Sequence, residues 1–134
     1  MGPTGTALLG FAAWYLLLTF ALGFFRSGLV LTGKKAANTF ATDGSDVGAF
    51  GRRLNRARDN CFETLPLFVA IALAAQLGNR VAVLDPLAMY LLYARIGQSL
   101  THLVSTNIMA INVRFAFFLA QLAIYATWIV QLLG

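Results

Sequence analysis

The sequence predicts an all-α integral membrane protein, a four-transmembrane-helix bundle forming one domain over residues 1–134. Two observations carry this. Of the 134 residues, 59% are hydrophobic and only 11% charged, whereas a soluble domain has about 45–50% apolar and about 25% charged residues. The apolar residues also fall into four runs, each near the roughly 20 residues that cross a hydrocarbon core about 30 Å thick. A soluble single-core enzyme is excluded, and no length remains for a second domain.

The first span is expected over about residues 5–25, where Thr6 to Phe25 carry no charge, and is expected to end at Arg26. It lacks a basic leader and a small-residue cleavage site, so it is expected to stay as a helix rather than leave as a signal peptide. Residues 26–51 place Gly28, Gly33, Gly44, Gly48 and Gly51 among Lys34, Lys35, Asp43 and Asp46. That composition describes a long extramembrane loop, long enough to serve as a lid. The second span, about residues 52–78, opens on the charged RRLNRARDN and continues into CFETLPLFVAIALAAQL. Pro66 inside it is tolerated in lipid, where neighbouring helices re-satisfy the freed carbonyl, and predicts a kink near Phe62. Gly78, Asn79 and Arg80 then make a tight turn. The third span, about residues 83–107, is interrupted by Arg95, Gln98, Ser99, Thr101 and His102. A hinge at residues 107–112 leads to Arg114 and the fourth span, about residues 114–133.

Ten Lys and Arg against five Asp and Glu give a net charge of +5. In so apolar a chain that surplus belongs at helix ends or inside the bundle rather than on a nucleic-acid-binding face. The single Cys61 and single His102 allow no internal disulfide, no CxxC chemistry and no metal cluster. Seven of the basic residues lie from Arg26 to Arg58. The positive-inside rule then places loop 26–51 and the 107–112 hinge in the cytoplasm, with both termini on the other side. A multi-pass protein of a bacterial inner membrane fits these short loops.

Arg56, Asn60 and Glu63 stand at i, i+4 and i+7 and so share one stripe of helix two, which Arg52 extends. Arg95, Gln98 or Ser99, and His102 repeat the spacing on helix three. At 1.5 Å per residue, Glu63 lies about 22 Å and Arg95 about 20 Å from the turn at Gly78 to Ala82, with Arg56 at about 33 Å and His102 at about 30 Å. The two stripes therefore share a depth. One reading is a buried Glu63–Arg95 ion pair that fixes register, with Arg56 and Arg58 reaching to headgroups, as Arg52 and Arg53 are also expected to do. The other is a ligand site, because intramembrane charge costs about 2.5–3.5 kcal/mol on insertion scales and is rarely retained idly. Arg56, Arg95, Arg114, Lys34 and Lys35 outnumber the acids near them, which implies an anionic ligand carrying a carboxylate or thiolate.

The segment RLNRARDNCFETLPLF, Arg53 to Phe68, resembles the signature of the membrane-associated proteins in eicosanoid and glutathione metabolism, the MAPEG family. The family's R-A-x-x-N-x-x-E-x-x-P pattern is met by Arg56, Ala57, Asn60, Glu63 and Pro66. Chain length, the basic first loop, YLLYARIGQ, Arg114 and LAQL at Leu119 to Leu122 agree, in the manner of bacterial-type, microsomal glutathione transferase-like members. The resemblance implies a homotrimer in membrane lipid, with glutathione as co-substrate bound between subunits on the cytoplasmic side. Arg56, Asn60 and Glu63 would hold the tripeptide's charged ends, with Lys34, Lys35, Arg95, Gln98 and His102 contributing from a neighbour. Arg114 would be the catalytic arginine, since a nearby guanidinium lowers a thiol pKa and raises the thiolate fraction.

Thr64, Gln98 and His102 stand where eicosanoid-type members tend to have tyrosines, which disfavours an eicosanoid synthase. The expected function is a glutathione-dependent transferase or peroxidase acting on small hydrophobic electrophiles or lipid peroxides. The alternatives are a non-catalytic membrane subunit or lipid-binding scaffold of the same fold, and a four-helix multidrug transporter. Transport of cations needs a membrane carboxylate that helix one lacks.

Overall fold

The structure, a computed structural model, describes residues 2–33, 48–104 and 107–134. Four long helices account for most of them: α1 (Pro3–Leu31), α2 (Gly48–Leu77), α3 (Asp85–Val104) and α4 (Ile108–Leu133), with a 3-10 turn at Val81–Val83 before α3. Helices α1, α2 and α4 are long and apolar enough to cross a membrane. At 20 residues, α3 is about 30 Å long, but its polar residues lower its hydropathy. It hides them by position. Arg95, Gln98, Ser99 and His102 are all buried, and α3 packs against each of the other three helices.

The chain runs up, down, up, down. Thr4 donates from its amide and hydroxyl to Asp85 Oδ1, tying the start of α1 to the start of α3. Arg80 donates to the carbonyls of Gln131 and Leu132, tying the α2–α3 turn to the end of α4. Both chain ends therefore lie at one end of the bundle. The turn after α2 closes with paired bonds, Arg80 N–H to the Ala75 carbonyl (2.7 Å) and Asn79 N–H to that of Gln76 (3.2 Å). Asn79 sits at φ 56°, which asparagine tolerates better than most side chains.

The helix limits differ most from the sequence expectation at the end of α1 and the start of α4, and α2 also begins earlier than expected, at Gly48. Helix α1 does not stop at Arg26 but continues to Leu31, because Arg26 reaches across to Asn55 Oδ1 on α2 (3.1 Å) and its charge is satisfied within the bundle. Helix α4 begins at Ile108, not after a hinge ending at residue 112. Asn107 caps it, Oδ1 accepting from the Ala110 amide at 2.8 Å. Arg114 thus stands nearly two turns inside α4. Helix α2 is continuous through Pro66.

The end holding the termini is filled by apolar side chains. Phe11, Phe68, Tyr125 and Trp128 are wholly or almost wholly buried, and their rings meet at centroid separations of 5.6 to 6.3 Å. Offset and edge contacts of this kind add about 0.5–1.5 kcal/mol each beyond burial. Outward, α1 presents Leu9, Leu16, Leu17, Phe20 and Phe24, as a lipid-facing or subunit-facing surface requires.

Candidate functional site

In the opposite half of the bundle the interior becomes polar. Arg95 is 0% exposed. Its Nη1 donates to Asn60 Oδ1 at 2.7 Å and its Nη2 to Thr64 Oγ1 at 2.9 Å, while the guanidinium lies 5.5 Å from the centre of the Phe11 ring. Gln98 Nε2 donates to the same Asn60 oxygen at 3.0 Å, and Gln121 Nε2 donates to Gln98 Oε1 at 2.7 Å. A connected chain of bonds therefore runs from α4 through α3 to α2.

The Glu63–Arg95 ion pair is not formed. Glu63 acts on Arg95 only through space, because Asn60, one turn before it, and Thr64, next to it in sequence, take both terminal nitrogens. Neutral acceptors hold a buried cation here, and the Glu63 carboxylate is left exposed at the surface.

Two clefts open above this network and share Asn60 as a wall. One, of about 300 Å³, is lined by Asn55, Arg56, Asp59, Asn60, Glu63 and His102. The other, of about 400 Å³, is lined by Asn60, Gln98, Ile111, Asn112, Arg114, Phe115 and Phe118. The stripe Arg56–Asn60–Glu63 thus faces one cleft together with His102. Arg114 faces the second with Gln98. Arg56, Arg95 and Arg114 all stand close enough to His102 for their charges to act on it. Arg95 lies beneath the clefts and lines neither, while Lys34 and Lys35 lie outside the described residues.

Several contacts around the site were not anticipated from sequence. Asn55 Nδ2 donates to Asp59 Oδ2 (3.2 Å), and Arg58 pairs with Asp59 Oδ1 at 2.8 Å. Arg53, expected to reach toward headgroups, instead donates from Nε to the Leu103 carbonyl at the end of α3 (3.0 Å), where a cation also meets the negative end of the helix dipole. Thr64 and Gln121 complete the buried network. A glutamine midway along the largely apolar α4 is a signal for the latter, since polar groups at membrane depth seek partners on other helices. Among the described residues no group of three or more His, Cys, Asp or Glu gathers as a metal site would need.

The MAPEG family model matches residues 4–134. The chain belongs to the MAPEG family. Neither the curated proteins nor the solved structures yield a match. For a MAPEG protein, four helices with three apolar enough to span a membrane fit an integral membrane protein, and the family generally uses glutathione. The apolar wall of Ile111, Phe115 and Phe118 beside Arg114 gives the second cleft two chemical faces, one for charge and one for hydrocarbon.

Proposed function

We propose that this MAPEG protein is a membrane-bound glutathione-dependent transferase or peroxidase of the bacterial-type, microsomal glutathione transferase-like kind. The observation that carries the reading is the pair of clefts joined at Asn60, with Arg56, Glu63 and His102 around one and Arg114 in the other. Glutathione is a tripeptide with an ammonium, two carboxylates and a thiol. Arg56 suits a carboxylate, Glu63 suits the ammonium, and a peptide passing Asn60 brings its thiol toward Arg114. Arg114 then favours the thiolate, which attacks an electrophilic carbon held against Phe115 and Phe118. A carbon–sulfur bond forms and the leaving group departs with its electron pair. With a lipid hydroperoxide, two glutathiones are oxidised to the disulfide as the peroxide is reduced to an alcohol and water.

Arg56 and Glu63 are exposed at the cleft rim, which supports completion of the site by a neighbouring copy in a homotrimer, with Lys34 and Lys35 brought to it from the first loop. Seven of the ten basic residues lie from Arg26 to Arg58 in the sequence, which supports a cytoplasmic site in a bacterial inner membrane and termini on the far side.

Detergent-purified protein with glutathione and a chloronitroarene or a lipid hydroperoxide tests the reading. Turnover above the uncatalysed rate is expected, together with ultraviolet difference absorbance from bound thiolate. No turnover and no calorimetric binding of glutathione would overturn it in favour of a non-catalytic scaffold. Arg114→Ala is expected to lower kcat by about 10²-fold or more while glutathione binding changes little; loss of binding alone reassigns Arg114 as a tether.

A further inference from the structure

We propose that Gln121 is a positioning residue. Acting through Gln98, it holds Asn60 so that only amide N–H groups face the ligand, which restricts that point of the site to a hydrogen-bond acceptor such as a carboxylate or peptide carbonyl. The proposal rests on the reading of the two clefts as a glutathione site.

The orientation of every amide in the network follows from its two ends. At one end stands the Phe117 carbonyl, which can only accept, so Gln121 turns Nε2 toward it at 3.1 Å. The same nitrogen reaches Gln98 Oε1 at 2.7 Å. Gln98 then has its own Nε2 against Asn60 Oδ1 at 3.0 Å. At the other end Arg95, which can only donate, independently demands that the Asn60 oxygen face inward, at 2.7 Å. Both ends require the same polarity.

The Asn60 carbonyl oxygen is thereby committed to two donors, and what Asn60 has left for the clefts on either side of it is its N–H2 group. An asparagine free to rotate about its last torsion could present donor or acceptor. Here that freedom is removed from two helices away, by a residue that is 0% exposed and lines neither cleft. The contact depends on a close approach of α3 and α4. A Cβ added at Gly97 would stand 2.8 Å from the Phe117 ring, one residue from Gln98, so glycine there lets the two glutamines meet.

The test is a double-mutant cycle read as the glutathione Kd by calorimetry in detergent. Gln121→Leu keeps volume but ends the relay, and is expected to raise Kd about tenfold while kcat at saturating glutathione changes less than twofold. Asn60→Asp keeps an acceptor for Arg95 and Gln98 but turns an oxygen toward the ligand, and is expected to raise Kd about a hundredfold. The double variant is expected to bind no worse than Asn60→Asp alone, because Gln121 acts only through Asn60. A merely structural glutamine would add its effect to that of Asn60→Asp. Additivity, or an unchanged Kd in Gln121→Leu, overturns the proposal and leaves the glutathione reading intact. Failure of the unaltered protein to bind glutathione overturns both. If Gln121→Leu does not fold, Gln121→Met serves in its place with the same expected outcomes.

Discussion

The two halves of this bundle are made from the same four helices and are held together by different physics. Near the termini, Phe11, Phe68, Tyr125 and Trp128 fill space with rings whose mutual orientations are varied, from 31° to 68° between planes. Near the clefts, Arg95, Asn60, Thr64, Gln98 and Gln121 meet through bonds of 2.7 to 3.0 Å whose direction matters. Dispersion contacts accept many arrangements of similar energy. A chain of hydrogen bonds with an obligate donor at one end and an obligate acceptor at the other accepts one. The apolar half supplies cohesion, and the polar half fixes the register on which the clefts depend.

Substitutions can separate these contributions. The largest loss of stability is expected from Trp128→Ala, which opens a cavity in the ring cluster and costs about 3–5 kcal/mol. Thermal unfolding in detergent reads it, and glutathione Kd in the surviving folded fraction is expected to stay within twofold. Gly97→Ala is expected to cost about 1–3 kcal/mol through overpacking against Phe117. Unlike the first variant it also weakens glutathione binding, because it parts Gln98 from Gln121. Arg80→Ala removes the donor to the last carbonyls of α4, and a loss of about 0.3–1 kcal/mol is expected at this exposed helix end. Glu63→Gln is expected to leave the melting temperature unchanged, since the carboxylate holds no ion pair with Arg95, while weakening glutathione binding measurably. A drop in stability without a change in binding would give Glu63 a structural role and contradict the proposed ligand contact.

Much of this arrangement could be read from residue spacing. Positions 56, 60 and 63 fall on one stripe by helix geometry alone, and a rise of 1.5 Å per residue brings Arg95 to their depth. Spacing could not choose Arg95's partners, because Asn60, Glu63 and Thr64 lie within about one turn of each other. Charge complementarity favours Glu63, but a solvated carboxylate is costly to bury beside a cation, and the neutral amide and hydroxyl were already facing inward. The end of α1 and the start of α4 were misplaced for a related reason. Arg26 reads as a stop until Asn55 on another helix is there to receive it, and Asn107 reads as a hinge until its side chain is seen to accept from Ala110. Gln121 is invisible to periodicity because α4 is apolar on nearly every face.

The burial of the polar stripe on α3 bears on how the protein enters its membrane. Helices α1, α2 and α4 are apolar enough to partition into a bilayer singly, whereas α3 exposes to lipid, until it is packed, an arginine that the translocon charges about 2.5–3.5 kcal/mol to release. Its acceptors, Asn60 and Thr64, are both on α2, the helix synthesised just before it. Partition of α3 therefore requires α2 to be waiting, so insertion and tertiary packing merge into one step for this helix, and the order of the genetic message becomes part of the folding mechanism.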